Sequence, residues 1–278
     1  MRTSVLSSAL LLAGGAVAGC NGKSDACVNP DASIVAHTGE PVGEEVVHND
    51  ITLYITKPDE ADPRTQARAG SAVLFLTDVF GLALTENKLL ADSFARAGYL
   101  TVVPDLFNGE PAPGDINVPG FNTTAFLEAH EPPVTDPIIA TAAAYLRTEL
   151  NATRIGAPGY CFGGRYAFRA LSAGTEGGAF AVGFAAHPSL LTAEEIGAVE
   201  GPVAVAAADQ DQLFNAAARA EAEEVLLGVA SPYQVNLYAG TQHGFGVRVD
   251  LEDAQQKYAK EEAFLQAVKW FDRFLVAA

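Results

Sequence analysis

Residues 153–164 read TRIGAPGYCFGG. Thr153–Ala157 has the character of a short strand, and it runs into the glycine-rich turn Gly159-Tyr160-Cys161-Phe162-Gly163-Gly164, which opens a helical stretch. A strand that turns sharply into a helix crowds its flanking side chains. The positions two before and two after the apex must therefore be small, and here both are glycine. The apex residue sits in a strained backbone conformation with its side chain presented outward, and that residue is Cys161. A helix N-terminus beneath it favours a thiolate. The pattern is that of a turn built to present a nucleophile, with the Phe162 N–H as one donor to an oxyanion. Read as a plain strand-to-helix turn, the same stretch would hold a buried structural cysteine.

The flanking sequence repeats this rhythm. Ile51–Thr56, Ala72–Thr77, Tyr99–Val103, Phe180–Ala185, Val203–Ala207 and Tyr233–Tyr238 read as strands, and the continuous apolar run AVLFLT at 72–77 is that of a strand buried on both faces. Helical spacing marks Glu86–Ala97, which stops at Gly98, then Asp136–Leu150, Asn215–Leu227 and Leu251–Leu275, the last with a break near its start. Residues 19–50 are polar and loop-like, and 108–122, rich in Gly, Pro and Asn, form a surface loop. Strands separated by helices imply right-handed crossovers, a mostly parallel twisted sheet and helices on both faces. The expected fold class is α/β, in a single domain over 51–278. Sites in such sheets lie at the carboxyl ends of strands. That singles out the turns after 72–77, 153–157, 203–207 and 233–238.

Each of these turns carries a chemical group. Asp209-Gln210-Asp211 follows one strand, Gln242-His243-Gly244-Phe245 follows another, and Asp78 ends the strand 72–77. Nucleophile, acid, histidine is the chain order of α/β-hydrolases. In that arrangement His243 acts as general base and then acid, and an aspartate fixes its tautomer. Asp211 and Asp209 both stand near the right strand end. The helix beginning near Asn215 makes Asp211 the better placed, although spacing alone leaves the pair open.

Taken together, these segments resemble the dienelactone hydrolase family, in particular its fungal-type members. The matching stretches are His37-Thr38-Gly39, Thr77-Asp78-Val79-Phe80-Gly81, Val103-Pro104-Asp105-Leu106-Phe107, Gly159–Gly164, Ala186-His187-Pro188-Ser189, Asp211-Gln212-Leu213-Phe214 and His243-Gly244-Phe245. The resemblance spans about residues 35–275. It implies cleavage of small carboxylic esters or lactones without a cofactor, through a Cys161–His243–Asp211 triad and an acyl-enzyme. It favours Asp211 over Asp209 and makes the Val79 N–H the second oxyanion donor. Bacterial members carry a glutamate in place of Asp78 that bonds the resting thiol, and this chain is one methylene shorter there. They also bind a substrate carboxylate with two arginines. Arg248 resembles one of these, whereas Asn108-Gly109 stands where the other belongs. Arg248 and Phe107 are the candidate substrate-contacting residues, and His187 is a rival base in the wall of the site.

Composition narrows the partners. Asp and Glu number 34 against 17 Lys and Arg, a net charge of −17. That disfavours nucleic acid and anionic lipid surfaces, both of which need clustered cations. No phosphate loop, HExxH helix or metal-spaced Cys/His cluster occurs, so neither a cofactor nor a metal is expected. The partner is a small molecule, and a monomer is the favoured state. Arg2 with the apolar stretch 5–18 reads as an export signal ending at Ala16-Val17-Ala18. The mature chain would be secreted, with no transmembrane helix and with 19–50 as an N-terminal extension. Val17-Ala18-Gly19-Cys20 also fits a lipidation site, which would anchor the chain at Cys20. Alternatively Cys20 and Cys27 pair in an oxidising compartment, which leaves Cys161 as a lone thiol. Asn122 and Asn151 head glycosylation sequons. Two other functions use the same residues: a thioesterase or peptidase with this triad, and a weakly catalytic ligand-binding protein on a hydrolase scaffold.

Overall fold

The run Ala72–Thr77 divides its side chains between two hydrophobic clusters. Ala72, Leu74 and Leu76 belong to one, Val73 and Phe75 to the other. Alternation of this kind, with both faces apolar, is what a strand covered by helices on either side requires. The computed structural model describes residues 33–175 and 180–276, and residues 34–278 form one compact unit. The expected export signal, Cys20 and Cys27 lie outside the described residues.

Among the described residues, an eight-stranded sheet runs in the order β1-β2-β4-β3-β5-β6-β7-β8. The strands are β1 (Glu44–His48), β2 (Ile51–Thr56), β3 (Ser71–Leu74), β4 (Leu100–Pro104), β5 (Arg154–Tyr160), β6 (Val182–Ala186), β7 (Val203–Ala208) and β8 (Tyr233–Tyr238). The pairs β1/β2 and β2/β4 are antiparallel, and the rest are parallel. The helices are α1 (Pro63–Ala67), α2 (Thr85–Arg96), α3 (Thr123–Ala129), α4 (Pro132–Thr148), α5 (Phe162–Arg169), α6 (Ala193–Gly197), α7 (Ala216–Leu226) and α8 (Ala254–Phe274). Helices α2 and α8 cover one face through Leu90, Phe94, Phe264 and Phe271. Helices α4 to α7 cover the other through Ile138, Ile139, Tyr166, Ile196 and Leu226. This is the α/β-hydrolase architecture expected from the sequence.

One stretch expected as loop is not. Residues 44–48 form β1, an edge strand whose side chains are mostly exposed. It carries no inward apolar pattern, so periodicity could not reveal it. The connection was the available signal. Asn49 and Asp50, with φ of 48° and 63°, make a two-residue turn between the paired residues His48 and Ile51, as a tight hairpin demands. Upstream, Val35 and Ala36 are buried, and the Ala36 N–H bonds the Ser93 hydroxyl at 2.8 Å. Helix α4 begins four residues before its expected start, because Pro132 and Pro133 fit a first turn that needs no N–H donors.

Candidate active site

Cys161 joins β5 to α5 with φ 52° and ψ −111°, a backbone region that L-residues rarely occupy. Its neighbours explain how the turn is held. A Cβ on Gly159 would lie 2.0 Å from the Gly163 carbonyl oxygen, and one on Gly163 would lie 2.2 Å from that of Leu76. Only glycine lets the start of α5 approach β5 and β3 so closely. The Gly163 N–H then bonds the Thr77 carbonyl at 2.9 Å, and the Cys161 N–H bonds that of Ala186 at 3.1 Å. Arg165 anchors the helix further by its 2.8 Å ion pair to Glu195 on α6. The Phe162 N–H is the first of the helix and so has no intrahelical acceptor.

The loop after β8 carries His243 and the loop after β7 carries Asp211. His243 Nδ1 lies 2.9 Å from Asp211 Oδ2 and 3.1 Å from Oδ1. The carboxylate is fully occupied, since its Oδ1 also accepts the N–H groups of Leu213 (2.8 Å) and Phe214 (3.0 Å). Asp209 has a different task. It accepts the Thr241 N–H at 3.1 Å and so ties the two loops together. Of the two carboxylates left open by spacing, the one beside His243 is therefore Asp211.

The charges reinforce one another. Burial works against the imidazolium of His243, but the hydrogen bond it donates to Asp211 and the pull of Cys161 and the Asp211 charge outweigh it and push His243 up to about 10. Burial also works against the Asp211 carboxylate, and the bond to His243 with the two backbone donors holds it below the usual range. The second ring nitrogen, Nε2, is buried and has no hydrogen-bond partner among the described residues.

Cys161 and His243 line a cleft of about 780 Å³, with Asp78, Val79, Ser189 and Arg248 also in its wall. Asp78 is buried and takes its hydrogen bonds from Asn87 Nδ2 at 2.8 Å and the Phe80 N–H at 3.1 Å. Burial raises its carboxyl above the ordinary value despite these donors. The Cys161 sulfur finds its hydrogen-bonding contact elsewhere, in the Ser189 hydroxyl at 3.8 Å. The Ser189 N–H also bonds the Cys161 carbonyl at 3.0 Å. Ser189 was not singled out by the sequence beyond its place in the Ala186–Ser189 string. The Val79 peptide is fixed by its carbonyl, which accepts the Ala112 N–H at 2.9 Å. The Arg248 guanidinium stacks over the Phe80 ring at 4.3 Å.

Two expected residues stand elsewhere. Phe107 does not reach the cleft. It is buried behind the wall, packed against the neighbouring rings with centroids 5.4 Å from Phe126 and 5.3 Å from Phe162, and its N–H bonds the Asp105 carboxylate at 3.0 Å. His187 is also fully buried. It meets the His243 ring edge-on at 5.0 Å, and neither of its nitrogens has a hydrogen-bond partner among the described residues. Enclosure keeps it neutral, well below the ordinary histidine value. Among the described residues, no group of three or more His, Cys, Asp or Glu side chains is placed to share a metal ion.

The chain matches the model of the dienelactone hydrolase family over residues 54–275. It is 42% identical to the hydrolase pyvD of Aspergillus violaceofuscus, over 86% of this chain and 93% of that one. It is 38% identical to the hydrolase tropI of Talaromyces stipitatus, again over 86% and 93%. The crystal structure of a dienelactone hydrolase from Anabaena variabilis superposes with a TM-score of 0.58 over 84% of this chain and 97% of that one. At 15% identity, that likeness speaks for the fold alone.

Proposed function

The chain belongs to the dienelactone hydrolase family, and from that premise, which makes it a carboxylic ester or lactone hydrolase, we propose that Cys161, His243 and Asp211 carry the reaction through an acyl-enzyme. The observation that supports this most directly is the pairing of a strained Cys161 at the cleft with a His243 held by a buried carboxylate.

Cys161 attacks as thiolate, forming the S–C bond as the carbonyl π electrons move to oxygen. The Phe162 and Val79 N–H groups hold the resulting oxyanion. His243, protonated at neutral pH, gives its proton to the departing alkoxide oxygen as the C–O bond breaks. The neutral imidazole next takes a proton from water, whose oxygen attacks the thioester. The S–C bond then breaks, and the acid and the thiolate–imidazolium pair are restored. Asp211 keeps Nδ1 protonated throughout and stabilises the imidazolium. Asp78 lines the same cleft, where its Oδ1 is engaged by Asn87 and the Phe80 N–H.

The test compares 4-nitrophenyl acetate hydrolysis by the wild-type chain and by Cys161→Ala. A fall of about a thousandfold or more supports the assignment. Equal rates would overturn it and favour a ligand-binding role for the same cleft.

A further inference from the structure

Three large apolar side chains left exposed on the surface, Ile116 at 40%, Leu190 at 48% and Leu213 at 59%, all line the catalytic cleft. They come from three unrelated segments: the loop after β4, the turn after β6 and the turn after β7. Apolar side chains that converge on one opening mark a surface that something covers. Phe126 and Leu127 of α3 continue the apolar lining. The placement of Leu190 carries its own cost. Its φ is +59°, a left-handed conformation in which a leucine is strained and glycine or asparagine would be at ease. Strain of that kind is kept where the surrounding structure uses it.

Charge is arranged the other way. Among the described residues, Arg248 is the one cation lining the cleft apart from His243, and its guanidinium is already stacked on Phe80 and attracted to Asp78. Asp115 adds a carboxylate to the wall. An anionic substrate would find one engaged arginine and a like charge. The volume, about 780 Å³, belongs with pockets that enclose drug-sized apolar ligands.

We infer that the substrate is an uncharged ester or lactone bearing a large apolar group, an aryl ring or medium alkyl chain, and no carboxylate. This rests on the hydrolase reading above. The test measures kcat/KM of the full chain on 4-nitrophenyl acetate, octanoate and hemisuccinate, with Cys161→Ala as the blank. Octanoate exceeds acetate by about tenfold or more, and hemisuccinate does not exceed acetate. Leu213→Asp and Ile116→Asp, both at exposed positions, each lower the octanoate-to-acetate ratio by about fivefold or more. A flat ratio, a preference for hemisuccinate, or variants that leave the ratio unchanged would overturn the inference while Cys161-dependent turnover kept the hydrolase reading intact. No Cys161-dependent turnover of any ester would overturn both.

Discussion

Asp211 Oδ2 stands 2.9 Å from His243 Nδ1, and the same carboxylate accepts the backbone N–H groups of Leu213 and Phe214. The acid is thus locked in place by its own loop before it orients the histidine. Asp211→Asn keeps the shape and removes the charge. It also lets the amide dictate the wrong imidazole tautomer. The expected outcome is a fall in kcat of about a thousandfold or more, with an unchanged far-UV spectrum. A loss below about tenfold would leave His243 without need of its acid.

The same pair sets a pH dependence of stability. His243 is raised in the folded chain from 6.5 to about 10, so its contribution is complete below pH 6.5 and is lost as pH rises towards 10. Asp211 is lowered from 3.8, so its contribution is present above that value and is lost as pH falls through the folded pKa. The difference in thermal midpoint between wild type and His243→Gln should be widest near pH 5–6 and should shrink steadily into alkali. A difference that grows above pH 7 would contradict the assignment.

How far this arrangement could be read in advance depended on how the chain enforces each part. The turn at Cys161 was legible because Gly159 and Gly163 are sterically compulsory, each with backbone less than 2.5 Å from where a Cβ would stand. The central strands were legible because nearly all of their residues are buried on both faces and their sequences are mostly apolar. β1 was not, because an edge strand with exposed Glu44 and Glu45 has no face to encode. Phe107 was misplaced because an aromatic residue at a strand end suits the core as well as a ligand, and only the neighbouring rings decide. Ser189 escaped because nothing in its residue type separates a partner of sulfur from an ordinary loop serine.

Ser189 is the position where this chain departs most from a carboxylate-held thiol. Its hydroxyl is 3.8 Å from the Cys161 sulfur, a long and modest hydrogen bond. Ser189→Ala should therefore lower kcat/KM only about threefold to tenfold. It should also move the pH profile of Cys161 alkylation by iodoacetamide towards alkali, because the thiolate loses a donor. Ser189→Thr should restore both. An alkylation profile identical to wild type would reduce Ser189 to packing.

The glycines of the turn allow a paired test. In Gly163→Ala the new methyl meets the Leu76 carbonyl at 2.2 Å, backbone against backbone. It should cost more than about 2 kcal/mol or abolish soluble expression. In Gly197→Ala, at the end of α6, the methyl meets only Val225 at an ordinary 3.6 Å. That substitution should be neutral or stabilising by up to about 1 kcal/mol. Urea midpoints measured side by side separate the two, and equal midpoints would mean that the turn is more compliant than its contacts allow.

If the cleft selects for large apolar esters, Leu190 sets stability against specificity at a single residue. Its φ of +59° strains a leucine, and its side chain is 48% exposed, so little apolar burial is lost on replacing it. Asparagine accepts that conformation without the extra unfolded-state entropy of glycine. Leu190→Asn should therefore raise the unfolding free energy by about 0.5–1 kcal/mol while lowering the preference for long-chain over acetyl esters. A more stable variant with wild-type selectivity would make the strain incidental to the cleft. A less stable one would mean that Leu190 gains more from its partial burial than its backbone loses.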